Sequence, residues 1–476
     1  MGSHAGAHAL DVIHATTCFP PEFAGKLDSI VVLEVFHTKD RKKIGIEKFI
    51  ARLIEELKKV GEVGFEFIVN GKKFKIHLLL THITGDDLGL NCILGFVCSF
   101  HNTHCCQICL AGPEEIRTMT KENPALLRTI DNYEQGLLQG SDQSGLTHYS
   151  SFNGVGDFHI IPNGCVDVMH DVQEGCGLRI MAKVLLFFVH KEKLFTIGFI
   201  DKALKNFDFG FENSNRPPQI NIAYVNEHEK LKISASETLF FIRYFGVIVG
   251  HKIEAYYPEW KLYLKLRDVV AVIFKPDISL SEVLTIKFHN LLHYLKKLGQ
   301  NGPPTENSAI RFESKHRELK KILLAIECNM NVLKNLGVRL GLRLMRFQFQ
   351  KYEGLIMKYG PASGNSMRFF ETEPDSFKYV TVNDFTYKIG SIIVARMDEN
   401  NIEFGRISRI YSCDAVLYFK YEAFDFIGFE RDYYVYSVIA NETNTREIKY
   451  DSLVSRTPCL SFEIDEGLYI ARRYKL

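Results

Sequence analysis

Two pairs of residues in this sequence have the spacing of metal ligands. Cys106 and Cys109 form a Cys-x-x-Cys pair, which can bind one Zn²⁺ from a tight turn, although ordinary thiols explain the pair equally well. His289 and His293 stand four apart, so that a helix places both on one face; taken alone, two surface histidines are the commoner case. Together the four residues would complete a Cys₂His₂ zinc site across a long sequence gap, which predicts a structural zinc.

Acidic residues form a second group that could hold a different metal. Asp86 and Asp87 lie in Gly-Asp-Asp-Leu-Gly, directly after a predicted strand, and Glu313 lies in Arg-Phe-Glu-Ser-Lys-His. Carboxylates from separate parts of a fold hold the Mg²⁺ ions of phosphoryl-transfer sites. On spacing alone the ordinary interpretations are favoured, because Gly-Asp-Asp-Leu-Gly is a good turn and Glu313 suits the start of a helix.

Polar residues are also dense within an apolar frame at residues 165–175. Asp167, His170 and Asp171 lie there, and the pattern indicates a buried polar network or the wall of a site. An interpretation of equal weight is a helix start with Asp167 or Asp171 as its N-cap.

Composition limits the classes of protein that these residues can serve. A chain of 476 residues predicts about three domains. With 46% hydrophobic and 24% charged residues it is an ordinary globular sequence, and 58 basic against 57 acidic residues argue against a dedicated basic clamp for nucleic acid. The apolar stretch 239–249 is too short to span a bilayer, so no membrane partner is expected. The odd count of 11 cysteines predicts a reducing compartment.

The elements that must position these residues follow from periodicity and turn signals. Apolar spacing predicts a helix at 47–60, and Asn70-Gly71 predicts a hairpin between strands 65–69 and 72–81, the second of which delivers Asp86 and Asp87 to its tip. Further predictions are loops over 117–156, helices at 177–190, 200–207, 237–249, 263–274 and 281–298, a long helix at 313–352, a linker at 363–381, and six C-terminal strands forming a small barrel or sandwich at 391–397, 403–411, 415–421, 433–439, 446–450 and 469–473.

In their order and spacing these pieces resemble transposon-derived DDE transposases of the CACTA (En/Spm)-like type and of the Transib–V(D)J recombinase lineage. The resemblance covers residues 2–345. It rests on 84–89 as the strand end of the second acid, Cys106 and Cys109 as the cysteine half of a zinc site, 167–171 as an internal Asp-x-x-His signature, His289 and His293 as the histidine half, and Glu313 as the third acid.

The resemblance implies an α/β fold, in which a ribonuclease-H-like core is interrupted by a large, mainly α-helical insertion and followed by a small C-terminal all-β domain. The implied segments are 1–115 and 301–360 for the core, 116–300 for the insertion and 380–476 for the β domain. Asp86 and Glu313 would bind catalytic Mg²⁺, and His170 would approach the scissile phosphate. Asp86 is preferred to Asp87 because relatives resemble Gly-Asp-Asn-Leu-Gly. DNA at transposon ends is the implied partner, homodimers are common in the clan, and the nucleus is the implied location.

One departure from the family leaves enzymatic activity open. The family's first aspartate precedes an Asn-Pro-Leu-Gly-Ser-like segment, and residues 1–4, Met-Gly-Ser-His, begin in the middle of that segment. Asp11 and Asp28 lie in a different motif context. The expectation is therefore an N-terminally truncated, catalytically incomplete chain. The alternatives are a non-catalytic, zinc-stabilised DNA- or protein-binding remnant and a zinc-stabilised interaction protein unrelated to transposition.

Overall fold

A computed structural model forms two compact units, residues 1–176 with 272–350 and residues 177–271 with 351–476. The four segments predicted above stay a prediction. The two units divide the chain differently and place residues 177–271 together with the C-terminal strands. The structure describes residues 3–5, 8–16, 27–98, 104–207, 209–274, 289–301, 308–324, 332–349, 357–361, 375–382, 385–398, 401–414, 416–464 and 467–471.

The first unit begins with a three-stranded antiparallel sheet that packs against a long amphipathic helix. Its strands are β1 (Ser3–Ala5), β2 (His8–Ala15) and β3 (Val31–His37), in that spatial order. The helix Ile46–Glu62 buries isoleucines at three positions spaced four apart, 46, 50 and 54, which confirms the helix predicted from apolar spacing. Members of its core include Phe36, Ile50, Ile54, Leu90, Leu94, Phe96 and Tyr133.

The predicted hairpin is present, but its second strand is shorter than predicted. β4 (Phe65–Val69) and β5 (Lys72–Ile76) are joined by Asn70 and Gly71, both at positive φ, as the turn chemistry requires. The extension of the second strand to residue 81 is wrong. Ile76 pairs with Phe65, the first residue of β4, so the chain beyond Ile76 has no partner strand within the hairpin.

The prediction of loops over 117–156 is also wrong, because this region contains a capped helix. Thr129 and Asn132 exchange side-chain-to-backbone hydrogen bonds of 3.1 and 2.8 Å at the start of the helix Ile130–Gln139. An asparagine replaces the Glu or Gln of the usual capping box, so the signal was weak in the sequence. The other helices of the unit are Thr38–Ile44, Asp87–Leu94, Pro113–Thr118, Ser141–Ser144, Ile160–Asn163, the π-helical turn Met169–Cys176, His289–Leu292, Tyr294–Asn301, Ala309–Leu324 and Val332–Phe349.

Those last two helices occupy the region predicted as one long helix. Residues 325–331 between them lie outside the described part of the chain, so continuity across them stays a prediction.

The helices of the second unit surround an almost completely buried helix, Ala235–Val249. A capping box of Ser234 and Glu237 begins it, and nearly all of its residues are buried. Within the described residues, no helix combines the length and the apolar character needed to cross a bilayer. The helices around Ala235–Val249 are Gly177–Leu186, the π-helical turn Phe187–Lys191, Ile197–Asn206, Ile222–His228 and Pro258–Ile273.

Within the described residues, the second unit also contains ten strands. The strands are β6 (Met357–Tyr359), β7 (Asp375–Phe377), β8 (Tyr379–Val382), β9 (Phe385–Lys388), β10 (Ile392–Met397), β11 (Ile402–Cys413), β12 (Val416–Glu430), β13 (Val435–Lys449), β14 (Ser455–Ile464) and β15 (Gly467–Ala471).

The large antiparallel sheet has the order β10-β14-β15-β13-β12-β11-β7, and β10 also pairs with β11. Six strands therefore form a closed cycle, and each contributes to one apolar cluster that includes Val394, Phe404, Phe424, Val438 and Ile470. A second cluster packs the opposite face of β10, β11 and β12 against β8 and β9. The chain thus contains both helices and strands with a large antiparallel sheet, which is the mixed α/β class in its general form.

Candidate metal centre and acidic site

The Cys-x-x-Cys pair lies in a turn that is held against a second backbone segment. The Leu110 N–H donates to the Leu126 carbonyl at 2.8 Å, and the Arg128 N–H donates to the Ile108 carbonyl at 2.9 Å. Inside the turn, the Ile108 N–H points at the Cys106 sulfur at 3.4 Å. Backbone N–H groups directed at a sulfur favour its thiolate form, which is the form that binds metal.

His293 brings the third donor to this turn from a part of the chain far away in sequence. It is fully buried between the helices His289–Leu292 and Tyr294–Asn301. Its Nε2 lies 3.8 Å from the Cys106 sulfur, and the donor atoms of Cys106, Cys109 and His293 all lie within 4.8 Å of one another. Two ligands of a tetrahedral zinc, one sulfur and one nitrogen, are separated by about 3.5 Å, given Zn–S and Zn–N bonds of about 2.3 and 2.0 Å. The spacing of this cysteine–histidine cluster therefore fits a metal ion.

A carboxylate behind His293 sets the orientation of its ring. Glu122 Oε2 lies 2.7 Å from Nδ1, which turns Nε2 toward the cysteines, as the outer carboxylate does in many histidine–metal sites. Burial disfavours the charged imidazole, but Cys106 and Glu122 outweigh that effect and raise the pKa of His293. The pKa of Cys109 is lowered, chiefly by its hydrogen bond with Cys106 and against the effect of burial. Both shifts indicate that negative charge is favoured at the sulfurs.

A buried cation completes the surroundings of the thiols. The Arg128 guanidinium donates to the carbonyls of Cys106 at 3.0 Å and Ser144 at 2.9 Å. Its side chain is almost completely buried, so its charge acts on the nearby sulfurs through little solvent. The cysteine–histidine cluster can hold a metal ion. Sulfur and imidazole donors suit zinc better than magnesium, and complete burial suits a structural rather than a catalytic ion. The side chain of His289, the fourth predicted ligand, lies outside the described residues.

Asp86, the first of the predicted catalytic residues, is the N-cap of the helix Asp87–Leu94. Its carboxylate accepts a hydrogen bond from the Gly89 N–H, which is the turn interpretation that the sequence also allowed. The side chain of Asp87 lies outside the described residues, so the preference for Asp86 stays a prediction.

A buried aspartate, Asp167, forms hydrogen bonds with the two segments that carry the other predicted catalytic residues, His170 and Glu313. One of its oxygens accepts from the N–H groups of Met169 at 3.1 Å and Ala309 at 3.0 Å, and the other lies 2.5 Å from His170 Nδ1. Asp167 therefore fixes the imidazole and, at the same time, the first turn of the helix that carries Glu313. Both interpretations of 165–175 hold, since this N-cap is also the centre of a buried network.

His170 lies among carboxylates, including both predicted acids. Its Nε2 is 3.9 Å from Glu174 and 4.0 Å from Glu313. Burial alone would lower the pKa of His170, but the hydrogen bond and charge of Asp167, with the charges of Glu174 and Asp86, raise it to about 9. The ring is therefore cationic at neutral pH.

The same surroundings favour the neutral, protonated form of Glu313, whose pKa is also raised. Burial raises its pKa most, followed by the charge of Glu174, with smaller contributions from Asp167 and Asp86; His170 opposes the shift. Asp86, His170 and Glu313 thus share one electrostatic environment, which we call the acidic site. Asp167 lies in the segment predicted as a buried polar network or the wall of a site, whereas Glu174 was not predicted, although its spacing of four from His170 on a helical turn was a usable signal.

Asp11, the carboxylate set aside in the sequence analysis, lies on β2 and is engaged elsewhere. Arg41 Nε donates to it at 2.6 Å and the Thr38 hydroxyl donates at 3.1 Å. These contacts assign Asp11 to packing the helix Thr38–Ile44 on the sheet.

The fold and the two sites define a mixed α/β protein with a buried cluster of metal ligands and an acidic site built around a charged histidine. Its sequence matches neither any protein-family model nor any curated protein.

Proposed function

We propose that this chain is a transposase-derived protein of the CACTA (En/Spm)-like and Transib–V(D)J recombinase clan, with a ribonuclease-H-like core. The reaction class is Mg²⁺-dependent phosphodiester hydrolysis and strand transfer in cut-and-paste DNA transposition. One observation carries the proposal: Asp86, His170 and Glu313 come from three distant parts of the sequence and act on one another electrostatically. DNA at transposon ends is the proposed partner, in a homodimer, in the nucleus.

The charge balance of the acidic site supports a cation-binding role. Crowded carboxylates repel one another, and the raised pKa of Glu313 reflects that repulsion together with burial. A divalent cation bound by Asp86 and Glu313 would relieve the repulsion, and carboxylate oxygens are the ligands that Mg²⁺ prefers. Bound Mg²⁺ would supply charge stabilisation for an attack on phosphorus. His170, oriented by Asp167, would present a cationic N–H toward a phosphate oxygen.

The cysteine–histidine cluster has a separate role in the proposal. Cys106, Cys109 and His293, with His289 as the fourth ligand, would hold a structural Zn²⁺. Such an ion would join the turn at 106–109 to the helices around residue 293, and so fix the chain on either side of the segment between them.

Cation binding tests the proposal directly. We expect Mn²⁺, used as a probe for Mg²⁺ in isothermal titration calorimetry, to bind the wild-type chain and to bind Asp86→Asn and Glu313→Gln at least about tenfold more weakly, because each loses one anionic ligand. Glu56→Gln, which neutralises an exposed carboxylate on the helix Ile46–Glu62, is the matched control and should bind like the wild type. Equal Mn²⁺ affinity in all four proteins would contradict the assignment.

A second candidate function is a zinc-stabilised remnant that binds DNA or protein without cutting. The engagement of Asp11 by Arg41 and Thr38 favours it, because that carboxylate cannot serve as a further metal ligand without breaking both contacts. Nicking of supercoiled plasmid in Mn²⁺ separates the two functions. Nicking that is lost in Glu313→Gln supports the transposase reaction, and plasmid binding without nicking supports the remnant.

A further inference from the structure

In the large antiparallel sheet of the second unit, one face of β11, β12 and β13 carries an ordered set of tyrosines and cations. Across β11, β12 and β13, one row of paired residues is Tyr411, Tyr418 and Lys449, and the row two residues further along the strands is Arg409, Lys420 and Glu447. Successive side chains of a strand point to opposite faces, so both rows lie on the same face of the sheet. The alternate residues of these strands are buried in the apolar cluster on the other face, among them Ile410, Phe419 and Ile448.

The two tyrosine rings stack on each other and are flanked by cations. Their centroids are 5.3 Å apart and their planes are inclined by 7°. The Arg409 guanidinium lies 5.5 Å from the Tyr411 ring, and the Lys449 ammonium lies 5.9 Å from the Tyr418 ring. Across the strands the order is therefore ring, ring, cation, and Arg409 lies beside the first ring on its own strand, β11.

This tyrosine face, comprising Arg409, Tyr411, Tyr418, Lys420 and Lys449, has an excess of positive charge. All three of its cations are exposed, and both rings are partly exposed. The neighbouring acid is Glu447, which forms a hydrogen bond with the Tyr411 side chain. Cross-strand aromatic pairs stabilise sheets by themselves, but that role does not require three cations around the rings.

We propose that the tyrosine face binds single-stranded DNA, with bases stacked on Tyr411 and Tyr418 and phosphates bound by Arg409, Lys420 and Lys449. Aromatic platforms beside cations are the means by which proteins bind single strands without reading sequence. Stacking of a base on an aromatic ring is a stronger contact than an exposed cation–π pair, so the cations can leave the rings for phosphates. A duplex offers phosphates but keeps its base faces covered. The choice of DNA rests on the proposed function; the surface itself lies in the other unit and uses none of the acidic site.

Fluorescence anisotropy with 5′-labelled dT20 in buffer without divalent cations tests the proposal on the full chain. We expect Tyr418→Ala to weaken binding by about tenfold and Tyr418→Phe to retain wild-type affinity, because the phenyl ring still stacks. Tyr379→Ala, which removes a tyrosine on β8 that is 41% exposed, is the matched control and should bind like the wild type. Thermal unfolding of each variant verifies that it is folded.

The dependence on salt tests the role of the three cations. Three phosphate contacts predict a slope of about −2 in log affinity against log salt, or a loss of about 20-fold between 50 and 200 mM, and Lys449→Gln should reduce the slope by about 0.7.

Four results would overturn the proposal: no binding of dT20, equal losses in Tyr418→Ala and Tyr418→Phe, tighter binding of duplex than of single strand, or tighter binding of U20 RNA than of dT20. Tyr418→Ala should leave the affinity for Mn²⁺ unchanged, which separates a failure here from a failure of the proposed function.

Discussion

Acid should destabilise the first unit through two histidines outside the acidic site, His14, which is partly buried, and His316, which is buried. His14 is on β2 and His316 is on the helix Ala309–Leu324. Among the described residues, His14 Nε2 and His316 Nδ1 are buried without a hydrogen-bond partner. Burial is the main cause that lowers the pKa of each to about 4; the charges of His316 and Lys315 add to the effect on His14, and the charge of Lys320 adds to that on His316.

The sign and size of the effect follow from proton linkage. An unfolded chain protonates histidine near pH 6.5, whereas these two stay neutral in the fold down to about pH 4. The unfolded state therefore binds more protons over this range, and stability falls as the pH drops through it. Between pH 7.5 and pH 5 each histidine should cost about 2 kcal/mol of unfolding free energy. The two repel each other when protonated, so their separate costs are not additive.

Urea unfolding at pH 7.5 and pH 5 measures the effect in wild type, His14→Gln and His316→Gln. Each variant should lose about 2 kcal/mol less than the wild type over this interval, because one group no longer titrates. His77→Gln, which replaces an exposed histidine, controls for histidine removal in general and should lose as much as the wild type. If wild type, His14→Gln and His316→Gln all lost the same unfolding free energy between pH 7.5 and pH 5, these two histidines would not be the cause of the acid sensitivity.

Three further predictions concern the metal cluster and two buried contacts. Metal analysis of purified protein should find about one zinc per chain, and Cys109→Ser should lose it, with a lower melting temperature; full zinc content in the variant would contradict the cluster. Asp167→Ala should cost about 2–4 kcal/mol in thermal unfolding because it leaves two buried N–H groups unpaired, and a loss under 1 kcal/mol would show that it is not an anchor. Glu212→Gln should cost about 3–5 kcal/mol, because it removes a counter-ion that lies 3.3 Å from the equally buried Arg243. Chemical denaturation would measure the loss, and an unchanged midpoint would contradict it.

Local signals in the sequence were reliable where the residues that form an element are adjacent in the chain. The isoleucines of Ile46–Glu62 recur at helical spacing, and Asn70-Gly71 selects a turn with two positive φ angles, so both elements could be predicted. The end of β5 could not be predicted, because a strand ends where its partner ends. The helix Ile130–Gln139 was missed because its cap uses an asparagine at the position where the usual motif has Glu or Gln.

The sequence by itself determined which residues can bind metal or carry charge, since donor chemistry and i, i+3 or i, i+4 spacing are local properties. Only the tertiary structure decided which of them meet. His293 reaches the cysteines because two helices meet beside a turn, and Glu313 reaches His170 because Asp167 accepts a hydrogen bond from the first turn of its helix. The closure of the six-stranded barrel was decided in the same way, through the pairing of β10 with β11. Contacts between distant segments depend on how the chain returns to itself, and no short stretch of sequence encodes that path.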